Sequence, residues 1–316
     1  MHIAIVGAGS LGLLFAAKLS SVATSIEVIT RTGMQAEVLR REGISIEKEE
    51  VVPASKFTIV SYEDKESKSG EEAVESPLDF LLLTVKQTAI DDELLSWIRN
   101  RISKKTTVVC FQNGVGHEEK LLGCIHADQL LLAVTTEGAK RSGASKVAHT
   151  GRGTTDLGFS RDVLPKEQLN TQKIFAGLLE KAGFAVSLSK NMNTKVWSKL
   201  IISSVINPLT AILQIQNGQL LHSSASQELM LDLYQEGMTV AKAKHIELPD
   251  DLWEKLQLVC EKTAENQSSM LQDLLHHRST EIESINGSLL RMAEQLKLEL
   301  PVNRSIYRIV RVLENK

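Results

Sequence analysis

His2-Ile3-Ala4-Ile5-Val6-Gly7-Ala8-Gly9-Ser10-Leu11-Gly12 is the stretch that decides the fold class. Ile3 to Val6 is a short apolar run, the glycines follow at once, and Leu11, Leu14, Phe15, Lys18 and Leu19 then recur with helical spacing. Ser25 to Thr30 reads as a second strand. Glycines in this pattern are common by chance, but strand, glycine turn, helix and strand within about 30 residues make the dinucleotide-binding unit. There the glycines permit a tight turn and close backbone approach, and the pyrophosphate rests on the N–H groups and dipole of the helix N-terminus. The alternative is a tight turn without a ligand.

The tip of the second strand chooses the dinucleotide. Glu27 has the sequence spacing of an acid that binds the ribose hydroxyls of NAD, but Val28, Ile29 and Thr30 continue the strand past it. Arg31 stands at the tip instead, and a guanidinium there suits the 2′-phosphate of NADP(H). A solvated surface arginine is the competing reading.

Onward from this unit, residues 61–76 are rich in Glu, Lys and Ser without apolar periodicity, which predicts a solvated loop or insertion. Leu78 to Val85 is almost continuously apolar, as a strand covered on both faces must be, and Lys86 follows at its tip. A helical stretch to about Ile98 leads to a strand over Thr106–Phe111 that ends in Gln112-Asn113-Gly114. Ligands of open parallel sheets bind outside the carboxyl ends of strands, so Lys86 and Asn113 fall where a cofactor would lie. Another strand, Leu130–Thr135, carries Thr136 to Ala139 at its tip. Residues 146–150 and 154–159 flank Gly151-Arg152-Gly153 as a hairpin would. A helix over Thr171–Lys181 and a strand over Phe184–Leu188 complete the pattern. From about residue 190 only helical patterns remain. The expected architecture is α/β, an N-terminal Rossmann-type doubly wound, mostly parallel sheet over 1–189 followed by an all-helical C-terminal domain over 190–316.

The helical half opens on Trp197 to Leu213. Lys199, Ser203 and Asn207 recur every fourth residue on one face, while Leu200, Ile201, Val205, Leu209 and Ile212 supply apolar surface. An ammonium on a helix buried nearly all round must meet a partner or a ligand. Pro208 removes a hydrogen bond from the carbonyl of Ser204 and should bend the helix beside Asn207. Ser224 with Gln227 reads as a capping box for a helix to about Ala243, and Leu248-Pro249-Asp250-Asp251 starts a long helix expected to reach His276. On one continuous helix, Ser269 and Glu281 would stand about 18 Å apart. A break at Thr280, read as the N-cap of a box with Glu283, would make Glu281 the first residue of a new helix.

Composition bounds the rest. A chain of 316 residues is long enough for two cores, and 42% hydrophobic with 24% charged residues is globular rather than disordered usage. The net charge of -3 gives no reason to expect nucleic acid or an anionic membrane as partner. Cys110, Cys124 and Cys260 suggest neither a disulfide framework nor a zinc site, and adjacent His276 and His277 point to different faces of a helix, so no metal is expected. No continuous apolar run reaches 18 residues. A cytoplasmic protein is the expectation.

Gly7 to Gly12, Val85-Lys86, Asn113-Gly114, the helix with Asn207-Pro208-Leu209-Thr210, and Ser268-Ser269-Met270-Leu271-Gln272-Asp273 followed by Thr280-Glu281-Ile282 together resemble the ketopantoate reductase (2-dehydropantoate 2-reductase) family over nearly the whole length. The resemblance implies NADPH-dependent reduction of the ketone of 2-dehydropantoate to (R)-pantoate, in pantothenate biosynthesis on the route to coenzyme A. Lys199 then falls on the proton donor and Glu281 on the active-site glutamate. Asn113, Ser203, Asn207 and Ser269 fall on substrate contacts. Gly7, Ala8, Gly9, Ser10, Leu11, Gly12, Arg31, Lys86, Asn113, Ala139 and Glu281 fall on cofactor contacts. The implied partner is a small 2-oxo acid, and the implied state a monomer or homodimer. Ser203 stands where a second asparagine is expected, and Glu137 where a histidine or neutral residue is more usual. Both bear on which branched 2-oxo acid is taken. The other readings are a reductase of a different branched 2-oxo acid and a non-catalytic NADP(H)-sensing module. For Lys199, burial should lower the pKa while Glu281 limits the fall.

Overall fold

In the computed structural model, which describes residues 1–49, 51–62, 77–160 and 165–315, the chain forms two compact units. One comprises Met1–Gln112 and His117–Met192, the other Asn113–Gly116 and Asn193–Lys316. The four residues after Gln112 thus pack with the helical unit although they sit inside the α/β half of the sequence.

The first unit holds the strands β1 (His2–Val6), β2 (Ser25–Thr30), β3 (Ile44–Ile46), β4 (Val51–Val52), β5 (Phe57–Ser61), β6 (Phe80–Leu83), β7 (Thr107–Cys110), β8 (Leu130–Thr135), β9 (Gly138–Arg141), β10 (Lys146–Gly151), β11 (Thr154–Gly158) and β12 (Ala185–Leu188). Its main sheet has the order β12-β11-β8-β7-β6-β1-β2-β5. The strands from β8 to β5 run parallel, and β11 and β12 run the other way. Val6 lies opposite both Ile29 and Leu83, so β1, β2 and β6 end together and carry Gly7, Arg31 and Lys86 just past one edge. The main sheet is thus the mostly parallel, doubly wound kind expected.

A second sheet, of order β4-β3-β10-β9, overturns the expected hairpin. Here β10 pairs with β9 and β3, while β11 pairs with β8 and β12, so Gly151-Arg152-Gly153 crosses from one sheet to the other. A hairpin and a crossover have the same local signal, a glycine turn between two short strands, and only distant partners separate them. Ala139 is likewise inside β9 rather than in a loop at the tip of β8. The small sheet explains α1 (Ser10–Leu19): it is packed by β9, β10 and β3 as well as by β1 and β2, and buries seven of its ten residues. Phe15 meets Phe111 and Phe184 at ring-centroid distances of 4.7 and 4.9 Å in the core behind it. The helices α2 (Gly33–Glu42), α3 (Asp92–Arg101), α4 (His117–Leu122) and α5 (Lys166–Lys181) complete the unit. α5 starts five residues before the expected Thr171. Ser61 closes β5, and residues 63–76 of the expected polar loop lie outside the described residues.

The second unit is helical: most of α6 (Met192–Leu213), then α7 (Ser224–Ala243), α8 (Leu252–Lys262), α9 (Ser269–Leu275), α10 (Asn286–Gln295) and α11 (Pro301–Leu313). Among the described residues α6 alone is long and apolar enough to cross a membrane, with a mean hydropathy of 1.5 over 18 residues. Leu200, Ile201, Val205, Leu209 and Ala211 are instead buried in the cores of this unit. The helix expected to run from residue 248 to His276 is two. Its carbonyls at Ala264, Glu265 and Asn266 bond Gly218 N, the Gln216 side chain and Asn217 N at 3.1, 2.9 and 3.0 Å, and Gly218 sits too close to Ala264 to carry a Cβ. Those distant donors end α8, and Ser268 then caps α9 by accepting from Leu271 N at 3.1 Å. The expected box at Ser224 is absent: Ser223 is the N-cap, without a side-chain cap bond, and the Gln227 amide reaches Leu221 O instead.

Candidate functional site

Lys199, Ser203 and Asn207 each keep part of their surface accessible along α6, while Leu200, Ser204 and Pro208 between them are buried. The polar line is therefore real, and it faces away from the tightest packing. Burial pushes the Lys199 ammonium down to a pKa of about 8, with the Glu281 carboxylate opposing the fall. Glu281 is 8% exposed, and its Oε2 accepts from Asn113 Nδ2 at 2.9 Å.

Asn113 reaches Glu281 because Gly114 follows it. Gly114 has a φ of +81°, and a Cβ there would lie 2.1 Å from the carbonyl oxygen of Ser284. Only glycine lets residues 113–116 lie flat on the turn that bears Glu281.

Thr280 does not begin a helix. Residues 281–285 form turns in which the Glu281 carbonyl accepts from Ser284 N and Ile285 N at 3.1 and 3.0 Å, and α10 starts only at Asn286. The expected capping box fails because its members have other partners. The Glu283 carboxylate bonds Arg291 and the Tyr307 hydroxyl, and Thr280 donates its N–H and hydroxyl to Glu314 Oε1 at 2.7 and 2.6 Å. Glu281 therefore gains no helix N-terminus, and its place is fixed by the Thr280–Glu314 anchor and by Asn113.

Ser269 is brought to α6 by its neighbour. The Thr210 hydroxyl donates to Ser268 Oγ at 2.7 Å, and Thr210 also lies 3.1 Å from the carbonyl of Asn207. The first turn of α9 is thereby joined to the turn of α6 that bears Asn207. Thr210, Ser268 and Glu314 were not singled out as site residues by the sequence. The signal for the first two was present in the polar residues flanking Pro208-Leu209 and Ser269, whereas nothing local marks Glu314.

In the first unit the glycine turn meets the test for a dinucleotide. A Cβ on Gly7, whose φ is +107°, would lie 2.7 Å from the Val85 side chain, and one on Gly12 would lie 1.9 Å from Gly7 O. A Cβ on Gly9 would meet nothing within 4 Å. Two glycines are thus demanded by packing, and the third leaves an open cradle at the start of α1, where no acid and no side-chain cap occupies the N–H groups. The Ala8 carbonyl is held from behind by Gln35 Nε2 at 2.8 Å and the Arg141 guanidinium at 3.2 Å. Arg31 is exposed just past β2, and Lys86 is half-buried just past β6. Glu27 is buried in mid-strand and paired with Arg101 at 2.6 Å. Glu137 is also committed, its Oε2 lying 2.6 Å from His149 Nε2.

The sequence profile of the ketopantoate reductase PanE/ApbA family matches residues 3–162, and that of the PanE/ApbA C-terminal part matches residues 191–314. The chain belongs to the ketopantoate reductase family. It is 32% identical to the 2-dehydropantoate 2-reductase of Bacillus subtilis over 99% of this chain and 98% of that one. It is 30% identical to that of Pyrococcus horikoshii over 100% and 98%. Among solved structures, that of D-mandelate dehydrogenase with NADH and anilino(oxo)acetate superposes with a TM-score of 0.87 at 25% identity, covering 100% of this chain and 99% of that one.

The anchor at Thr280 generates a test within this reductase fold. Glu314→Ala leaves the N–H of Thr280, a residue only 2% exposed, without its acceptor. A loss of about 1–3 kcal/mol in chemical denaturation is expected, together with reduced ketone-reducing turnover as Glu281 shifts. Unchanged stability and turnover would remove Glu314 from this role.

Proposed function

We propose that this chain reduces the ketone of 2-dehydropantoate to (R)-pantoate with NADPH, with 1–189 as the cofactor domain and 190–316 as the helical substrate domain. The observation that carries the reading is the half-buried Lys199, whose ammonium feels the Glu281 carboxylate, on a chain of this family. NADPH, when bound, supplies hydride to the carbonyl carbon. The oxygen needs a proton, and Lys199 is the group suited to supply it. As an ammonium it polarises the carbonyl, steadies the developing alkoxide and donates its proton. At the ordinary lysine value it would be a sluggish acid near neutrality, and burial corrects this. Glu281 keeps enough of the lysine charged to act. Asn207, Ser203, Ser269 and Asn113 would orient the hydroxyl and carboxylate of the substrate. The open cradle at Gly9, the N–H groups of Ser10 to Gly12, Lys86 and Ala139 would hold the dinucleotide, with Arg31 on its 2′-phosphate. A cytoplasmic place of action accords with Cys110, Cys124 and Cys260, all free thiols.

A second reading, reduction of another branched or aromatic 2-oxo acid, is favoured by two observations, the likeness to D-mandelate dehydrogenase and the short Ser203 side chain. A panel of 2-oxo acids, followed by NADPH consumption, separates the two. The highest kcat/KM is expected for 2-dehydropantoate, and a clear preference for an aromatic 2-oxo acid would transfer the assignment.

Lys199→Ala should lower kcat by about 100- to 10,000-fold while NADPH binding, followed by its fluorescence, is kept. Near-normal turnover would end the role of Lys199. In the intact protein, turnover should be level below about pH 8 and fall as the pH rises through that value, where the ammonium loses its proton. Stability should move oppositely. Because the folded pKa lies below the unfolded one, the unfolded chain binds more protons between about pH 8 and 10.5, and stability rises across that window.

Arg31→Ala should raise the KM for NADPH much more than that for NADH. Equal effects on both would take Arg31 off the phosphate.

A further inference from the structure

Pro208 has no N–H for the carbonyl of Ser204, and Ser204 is fully buried. The missing donor comes from another helix. Asn286 Nδ2 lies 2.9 Å from Ser204 O and also 2.9 Å from Asn303 Oδ1. Asn303 Nδ2 in turn donates to Glu236 Oε2 at 2.9 Å, and the two Glu236 oxygens accept from Val302 N and Asn303 N at 2.8 Å each. Asn286 and Asn303 have no exposed surface.

The donor directions in this chain follow from its far end. A carboxylate only accepts, so Asn303 must turn its Nδ2 toward Glu236 and its Oδ1 toward Asn286. Asn286 must then present its Nδ2, and the second hydrogen of that amide is left for Ser204 O. The amide cannot be flipped without setting acceptor against acceptor at both contacts.

Position gives this bond a consequence beyond satisfying one carbonyl. Asn286 directly follows the turn of residues 281–285, and Ser204 lies on α6 between Lys199 and Asn207, next to Ser203. One side chain therefore joins the segment bearing Glu281 to the turn bearing the polar line. We infer that Asn286 is a positioning residue for the reaction, an amide staple that replaces the hydrogen bond lost at Pro208 and sets Glu281 and the Asn207 turn of α6 in register with the substrate. The inference rests on the assignment of Asn207 as a substrate contact. Asn286 touches no reacting atom itself. It acts through Asn207 and Glu281, and Asn303 and Glu236 act through it.

The test is a double-mutant cycle on the full chain. Asn286→Leu removes both donated bonds at similar volume and should raise the KM for the 2-oxo acid and lower kcat, by about tenfold to 100-fold in kcat/KM, with the KM for NADPH changed much less. Pro208→Ala restores an N–H within the helix to Ser204 O. In that background Asn286→Leu should shift the unfolding equilibrium less than in the wild type, by at least about fivefold, while the kinetic defect stays. If Asn286→Leu alone does not fold, the double variant carries the kinetic measurement. Wild-type kinetics in the folded Asn286→Leu variant, or an equal stability loss with and without Pro208, overturns the staple. Asn207→Ala is the control: a raised KM there with wild-type behaviour of Asn286→Leu overturns the staple alone. An unchanged KM in Asn207→Ala overturns the substrate assignment and the staple with it.

Discussion

A proline inside a buried helix leaves a carbonyl that water cannot reach, and leaving such a group unpaired costs about 1–3 kcal/mol. In this protein the demand falls on Ser204, and the Asn286 amide meets it. Much of the helical unit is arranged around that response. Asn303 must occupy the first turn of α11 to take the other bond of Asn286, and Glu236 on α7 must reach that same turn. Four helices, α6, α7, α10 and α11, are thus joined by one run of directed bonds across the interior of the unit. Hydrophobic burial would accept many small shifts among these helices, whereas the hydrogen bonds accept few.

The α/β unit is constrained differently, by how closely its backbone must pack. Gly12 lies so near Gly7 O that even a methyl group is excluded, and Gly7 is pressed against Val85 in the same way. Thr84 closes this arrangement, its hydroxyl bonding the carbonyls of Val6 and Gly7 at 3.0 and 2.8 Å. With α1 held between two sheets, its N-terminal N–H groups are fixed in direction before any ligand arrives. Oriented dipoles in place need no reorganisation to receive a phosphate, and this makes a helix end a useful anion site.

Local pattern carried what local forces decide. The strand, glycine turn and helix of residues 2–19 were legible because packing and backbone conformation there involve neighbours in sequence. The line of Lys199, Ser203 and Asn207 was legible because helical spacing alone puts them on one face. What escaped was decided by distant partners. The break between α8 and α9 comes from donors at residues 216–218, the failed box at Thr280 from Glu314, and the switch of β10 into a second sheet from β3 and β9. Residues 44–60 gave no reading, since their strands are short and two of them belong to that small sheet. Pro208 foretold that the Ser204 carbonyl would lose its donor, but no rule of spacing could name a residue 82 positions away as the replacement.

The balance at Lys199 ties these constraints to the chemistry. Burial alone would drive the lysine toward its neutral form, which could not serve the proposed proton transfer. A carboxylate with no other partner would pull the other way and hold the ammonium as a weak acid. Glu281 opposes the effect of burial from a position where one of its oxygens also accepts from Asn113. That hydrogen bond takes up part of the carboxylate's charge density and moderates its hold on the lysine. The same bond requires residues 113–116 to lie against the turn, which Gly114 permits and any larger residue would forbid. The Asn113-Gly114 pair is therefore a clasp on the carboxylate as well as a turn. Its asparagine holds the carboxylate that opposes the fall at Lys199, and its glycine makes that contact possible.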